Sequence, residues 1–108
     1  MAIAGALLAA CCTSSYLQPA EKFFEKGYAF LVKSNYEKAI ADYTKAIRLG
    51  ADDAWTFRWR GQTYLAQENY DKAIEDYETA LTLSPDDEFR KICNERIEEA
   101  MQGNPAVL

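Results

Sequence analysis

With 108 residues the chain has material for one domain, and its net charge of −5 leaves no basic stripe to displace counterions from a phosphate backbone, which excludes nucleic acid as a partner. The sequence holds no histidine, so Ser-His or Cys-His nucleophile activation and histidine-containing zinc sites are excluded as well. It also lacks a glycine-rich phosphate loop, and neither enzyme activity nor a cofactor is expected.

The first ten residues, Met1 to Ala10, carry no polar side chain. They run into Leu8-Ala9-Ala10-Cys11, an aliphatic residue and two small ones ahead of a cysteine, which resembles the lipobox of bacterial lipoproteins. The resemblance implies a signal peptide over 1–10, lipidation of Cys11, a polar tether over 11–19, and a membrane anchor at the bacterial envelope. A ten-residue helix reaches about 15 Å, half a bilayer core, so this run cannot itself span a membrane. No Lys or Arg precedes the run, where a secretory signal carries its positive charge. The alternative is an uncleaved cytoplasmic N-terminus or a short helix lying on the domain.

Tyr36-Glu37-Lys38-Ala39-Ile40-Ala41-Asp42-Tyr43 returns as Tyr70-Asp71-Lys72-Ala73-Ile74-Glu75-Asp76-Tyr77, an offset of 70 − 36 = 34 residues that Gly27 and Gly61 share. A fixed period of this size marks one supersecondary unit used twice, each copy burying its apolar face on the next. Phe23, Gly27, Phe30 and Leu31 fall on one face of a helix, and Tyr36, Ala39, Ile40, Tyr43, Ala46 and Ile47 on one face of a second. The other copy repeats both stripes, with Phe57, Gly61, Tyr64 and Leu65, then Tyr70, Ala73, Ile74, Tyr77, Ala80 and Leu81. A mid-helix glycine costs about 1 kcal/mol against alanine. Gly27 and Gly61 are therefore expected to admit a close partner helix at Ala39 and Ala73. Helix starts are expected after Pro19, Asp52-Asp53 and Ser84-Pro85-Asp86-Asp87, where hydroxyls and carboxylates satisfy free amides.

These residues resemble the tetratricopeptide repeat, whose motif places a large apolar residue, glycine, an aromatic and small residues at set intervals. Residues 20–53 supply Phe23, Gly27, Phe30, Ala39, Tyr43 and Ala46, with Ala51 where the motif has proline. Residues 54–87 supply Phe57, Gly61, Tyr64, Ala73, Tyr77, Ala80 and Pro85. The resemblance implies an all-α fold: two antiparallel helix pairs stacked as a right-handed α-solenoid.

Beyond Asp87 the pattern changes. Phe89, Ile92, Cys93, Ile97, Ala100 and Met101 keep a helical stripe, while Lys91 and Glu95 take the motif's large apolar and glycine places. Residues 88–102 are thus expected to form a capping helix showing Arg90, Lys91, Glu95, Glu98 and Glu99 to water, with Gly103-Asn104-Pro105 ending it and 103–108 as a tail. Cys93 is read as a small buried hydrophobe. Two repeats and a cap are a minimal array, and burial against a partner or in a homo-oligomer would add to its stability.

The resemblance also implies that the first helix of each repeat lines a concave groove. Its places carry Phe24, Tyr28 and Leu31 in one copy and Trp55, Arg58, Trp59 and Gln62 in the other. Trp, Tyr and Arg dominate binding hot spots, and these rings are surplus to the repeat's packing needs. The groove is expected to bind a protein or peptide partner through them. Trp55 and Trp59 have a second reading, in which they cover the gap to the first repeat. Lysines and asparagines of the peptide-carboxylate clamp are replaced here by Phe24 and Tyr28, which disfavours that ligand. The protein is read as a lipid-anchored binding module or, alternatively, a cytoplasmic adaptor.

Overall fold

The computed structural model describes residues 19–103. The described residues form helices α1 (19–32), α2 (Tyr36–Arg48), α3 (Ala54–Ala66), α4 (Tyr70–Leu83) and α5 (Asp87–Gly103), without a strand. The pairs α1–α2 and α3–α4 are the two copies of the 34-residue unit, and α3 packs on α2 behind it and α4 ahead. The chain is an all-α repeat solenoid closed by a final helix.

Local chemistry accounts for the boundaries. The Asp53 side chain accepts from the Thr56 amide at 2.9 Å at the start of α3, and Asp86 accepts from the Phe89 amide at 2.9 Å at the start of α5. Three helix ends share one design. Asn35 N donates to Phe30 O and Ser34 N to Leu31 O; Asn69 N donates to Tyr64 O and Glu68 N to Leu65 O; Ala51 N donates to Ala46 O and Gly50 N to Ile47 O. This paired pattern requires a left-handed residue. Gly50 meets it at φ 112°, but Ser34 and Glu68 meet it at φ 61° and 62° with a side chain attached.

The core follows the small-residue stripes. Ala39, Tyr43, Ala46, Ala73, Tyr77 and Ala80 have no exposed surface. A Cβ on Gly61 would sit 3.3 Å from the Ala73 carbonyl oxygen and 3.3 Å from Tyr77 Cδ2, so Gly61 admits α4 as expected. At Gly27 the neighbour is not Ala39: a Cβ would meet the Tyr43 ring at 2.9 Å, and the missing side chain makes room for an aromatic face.

Helix α5 covers the second pair and buries Phe89, Cys93 and Ala100, of which Phe89 and Cys93 join Tyr77 and Ala80 in one apolar cluster. Arg90, Lys91, Glu95, Glu98 and Glu99 are exposed. Met101, placed on the apolar stripe by its spacing, is 43% exposed, while Ala100 beside it is fully buried. Gly103 also differs from expectation. It is the last residue of α5 rather than the breaker beyond it, and a Cβ there would lie 2.7 Å from the Tyr70 ring.

Candidate functional site

The first helices of the two units, α1 and α3, stand side by side, joined by an edge-on contact of Tyr28 with Trp59 at 5.3 Å and 84°. Between them, toward their N-terminal ends, lies an open cleft of 510 Å³. Its walls are Phe24, Trp55 and Trp59, its polar rim is Glu21, Glu25 and Asp53, and Ala51 and Thr56 complete it. The N-terminal placement follows from the chain path. The α2–α3 loop carries Ala51 and Asp53 to the start of α3, while Glu21 and Glu25 occupy successive turns of α1.

Trp55 remains 54% exposed although its edge touches Phe89 of α5 at 5.1 Å. The Arg58 guanidinium lies over Trp55 at 5.4 Å, Trp59 at 5.1 Å and Phe89 at 5.7 Å, so one cation ties the indole pair to the final helix. Both readings of the indoles therefore have a physical basis: each ring contacts a neighbouring element and each lines the cleft.

The remaining expected residues divide. Phe24 lines the cleft, and its ring also meets the buried Tyr43 ring at 5.6 Å. Gln62 turns inward, where its side-chain carbonyl accepts from the Tyr77 hydroxyl at 2.9 Å. Leu31 is half-buried and does not line the cleft, nor do Tyr28 and Arg58. Cys11 lies outside the described residues.

Asp53 joins the rim while serving as a cap, and both its bonds, to the Thr56 amide and hydroxyl, use Oδ1. Sequence reasoning assigned Asp53 only to capping, because the cleft is closed by a loop whose path periodicity does not fix. It also passed over Arg60 and Asp76. Arg60 Nε donates to Asp76 Oδ2 at 2.8 Å, Nη2 to Oδ1 at 2.8 Å, and Nη1 to Thr44 Oγ1 at 3.3 Å. This fork links α3 to α4 and to α2, and the bond to Asp76 holds the Arg60 guanidinium above its usual range against the opposing effect of burial. The signal was available: the same places in the first copy hold Lys26 and Asp42, a matched pair of opposite charge.

Burial pushes the Cys93 thiol up, with Arg58 and Arg90 opposing, so it is held as an inert thiol. Among the described residues no cluster of His, Cys, Asp or Glu could hold a metal ion, and no helix is long and apolar enough to cross a membrane.

Two family models match the chain, one described as tetratricopeptide repeat over residues 54–87 and one as TPR repeat over 27–68, together spanning more than half of the 108 residues. Among solved structures the chain is similar to the Arabidopsis OM64 TPR domain, with a TM-score of 0.65 and 24% identity over 82% of this chain and 78% of that one. No curated protein matches the chain in sequence.

Proposed function

The chain belongs to the tetratricopeptide-repeat family, and from that premise we propose a non-catalytic module that holds a peptide segment of a partner protein in the cleft between α1 and α3. One observation carries this reading: Trp55 is 54% exposed beside Trp59 in a cleft of 510 Å³. Large rings left open to water at a concave site are the residue type that dominates binding energy, and burying each contributes about 1.5–3 kcal/mol. The contacts of Arg58 with both indoles and of Tyr28 with Trp59 hold the rings in place before a partner arrives, which lowers the ordering cost of association.

The test is selection of a displayed random dodecapeptide library on the immobilised protein, followed by binding of the selected peptides to Trp55→Ala. Loss of binding with the helical circular dichroism and melting midpoint retained supports the cleft. Selected peptides that bind the variant as tightly as the parent contradict it.

The proposal extends to location. Acylation of Cys11 would place the cleft beside a bacterial envelope membrane, with the residues from Cys11 to the start of α1 as tether; the support is the Leu8-Ala9-Ala10-Cys11 sequence. The intact mass of the native protein decides this. Loss of residues 1–10 with added acyl mass is expected, whereas an unmodified Cys11 assigns the module to the cytoplasm as an adaptor.

A further inference from the structure

Resting on the cleft reading above, we infer that the bound segment presents a basic side chain, Lys or Arg, among apolar residues, and that this cation enters between Trp55, Trp59 and Phe24 toward the Glu21 and Glu25 carboxylates. The cleft's lining carries three carboxylates, Glu21, Glu25 and Asp53, and no basic residue. Three rings wall the same space. An aromatic wall offers a cation the negative face of its ring quadrupole, and a carboxylate rim adds direct charge attraction.

The alternatives fit less well. A purely apolar segment would bring nothing to the rim and would strip water from its acids. An acidic segment would meet like charge at Glu21 and Glu25. These indoles already accept one cation: Arg58 lies over Trp55 and Trp59 at 5.4 and 5.1 Å, from a position outside the cleft's lining. Asp53 keeps Oδ2 outside its two capping bonds, which both fall on Oδ1. A long basic side chain suits such a site, because its methylene stem can lie on the rings while its head reaches the carboxylates. The net charge of −5 adds a long-range attraction for the same partner, screened by salt.

The experiment uses the peptides selected from the dodecapeptide library and the double variant Glu21→Gln/Glu25→Gln, whose positions are exposed and whose fold is checked by circular dichroism. The expected result is enrichment of Lys or Arg between apolar residues. Replacing that Lys by norleucine, or using the double variant, then weakens binding about tenfold, and added salt weakens the parent pair more than either altered pair. Peptides lost on Trp55→Ala that carry no basic residue, or that bind the double variant unchanged, overturn this inference and leave the cleft as the site. Peptides indifferent to both Trp55→Ala and Trp59→Ala overturn the cleft reading with it. Concentration-dependent dimers that exclude the peptide and persist in the double variant assign the cleft to a second copy of the chain, and overturn the inference as well.

Discussion

The Tyr77 hydroxyl donates to the Gln62 side-chain carbonyl at 2.9 Å, and one period earlier, where Gln62 has Tyr28 as its counterpart, the Tyr43 hydroxyl is buried with no hydrogen-bond partner among the described residues. Two tyrosines at the same place in the repeat thus differ in one bond. Tyr77→Phe is expected to cost about 1 kcal/mol and to leave the Gln62 carbonyl without its donor, whereas Tyr43→Phe removes an unpaired buried hydroxyl and is neutral or stabilising. Denaturant melts of the two variants check this. Equal losses at both positions would mean that Tyr43 has a partner.

The same burial predicts the response to alkali. Burial, and secondarily Tyr28 at Tyr43, raises both phenols well above the usual tyrosine value of about 10. A raised folded value means the folded chain holds its proton more tightly than the unfolded one. Stability is therefore full below pH about 10 and falls as the pH rises from there. Tyrosinate absorbance should appear in two stages, with Tyr43 and Tyr77 ionising only as the helical signal is lost.

Arg60 and Asp76 give a third prediction. Their side chains are 18% and 7% exposed, and Arg60→Met leaves the Asp76 carboxylate buried without its guanidinium. The expected cost is about 3 kcal/mol, and Arg60→Met/Asp76→Leu should cost clearly less than the sum of the two single changes. A double-mutant cycle measures the coupling, and additive losses would contradict the pair's role in joining α3 to α4.

A fourth concerns the turn within each pair. Ser34 and Glu68 hold left-handed backbone at φ 61° and 62° with side chains that disfavour it. Ser34→Gly and Glu68→Gly should each stabilise the fold by about 1 kcal/mol, read as a rise in the melting midpoint. A fall at either site would show that its side chain contributes more than the backbone strain costs.

What the sequence made legible tracks what repetition encodes. The offset of 34 residues and the small residues at Gly61, Ala73 and Ala80 located the pairs and their contact faces, because close helix approach allows few other side chains there. Asp53 and Asp86 were readable as helix starts because capping is local chemistry. Ser34 and Glu68 were not readable as left-handed, since the motif tolerates strain that glycine or asparagine would have advertised. Arg60 and Asp76 passed as surface charge, and only a long-range fork shows that they lie inside. At the cleft, the resemblance to the repeat motif placed Phe24, Trp55 and Trp59 on the first-helix faces and could not show Gln62 turning to Tyr77. Side-chain direction there depends on which polar groups the paired helix α4 presents.

The central claim is that the indoles of Trp55 and Trp59 receive the partner, and their two ring N–H resonances report on it directly. In isotope-labelled protein titrated with a selected peptide, both resonances are expected to shift, together with amides of Glu21, Glu25 and Asp53. Shifts confined to residues outside the cleft, around Lys72 and Glu75 of α4, with both indole signals unmoved, would contradict the account.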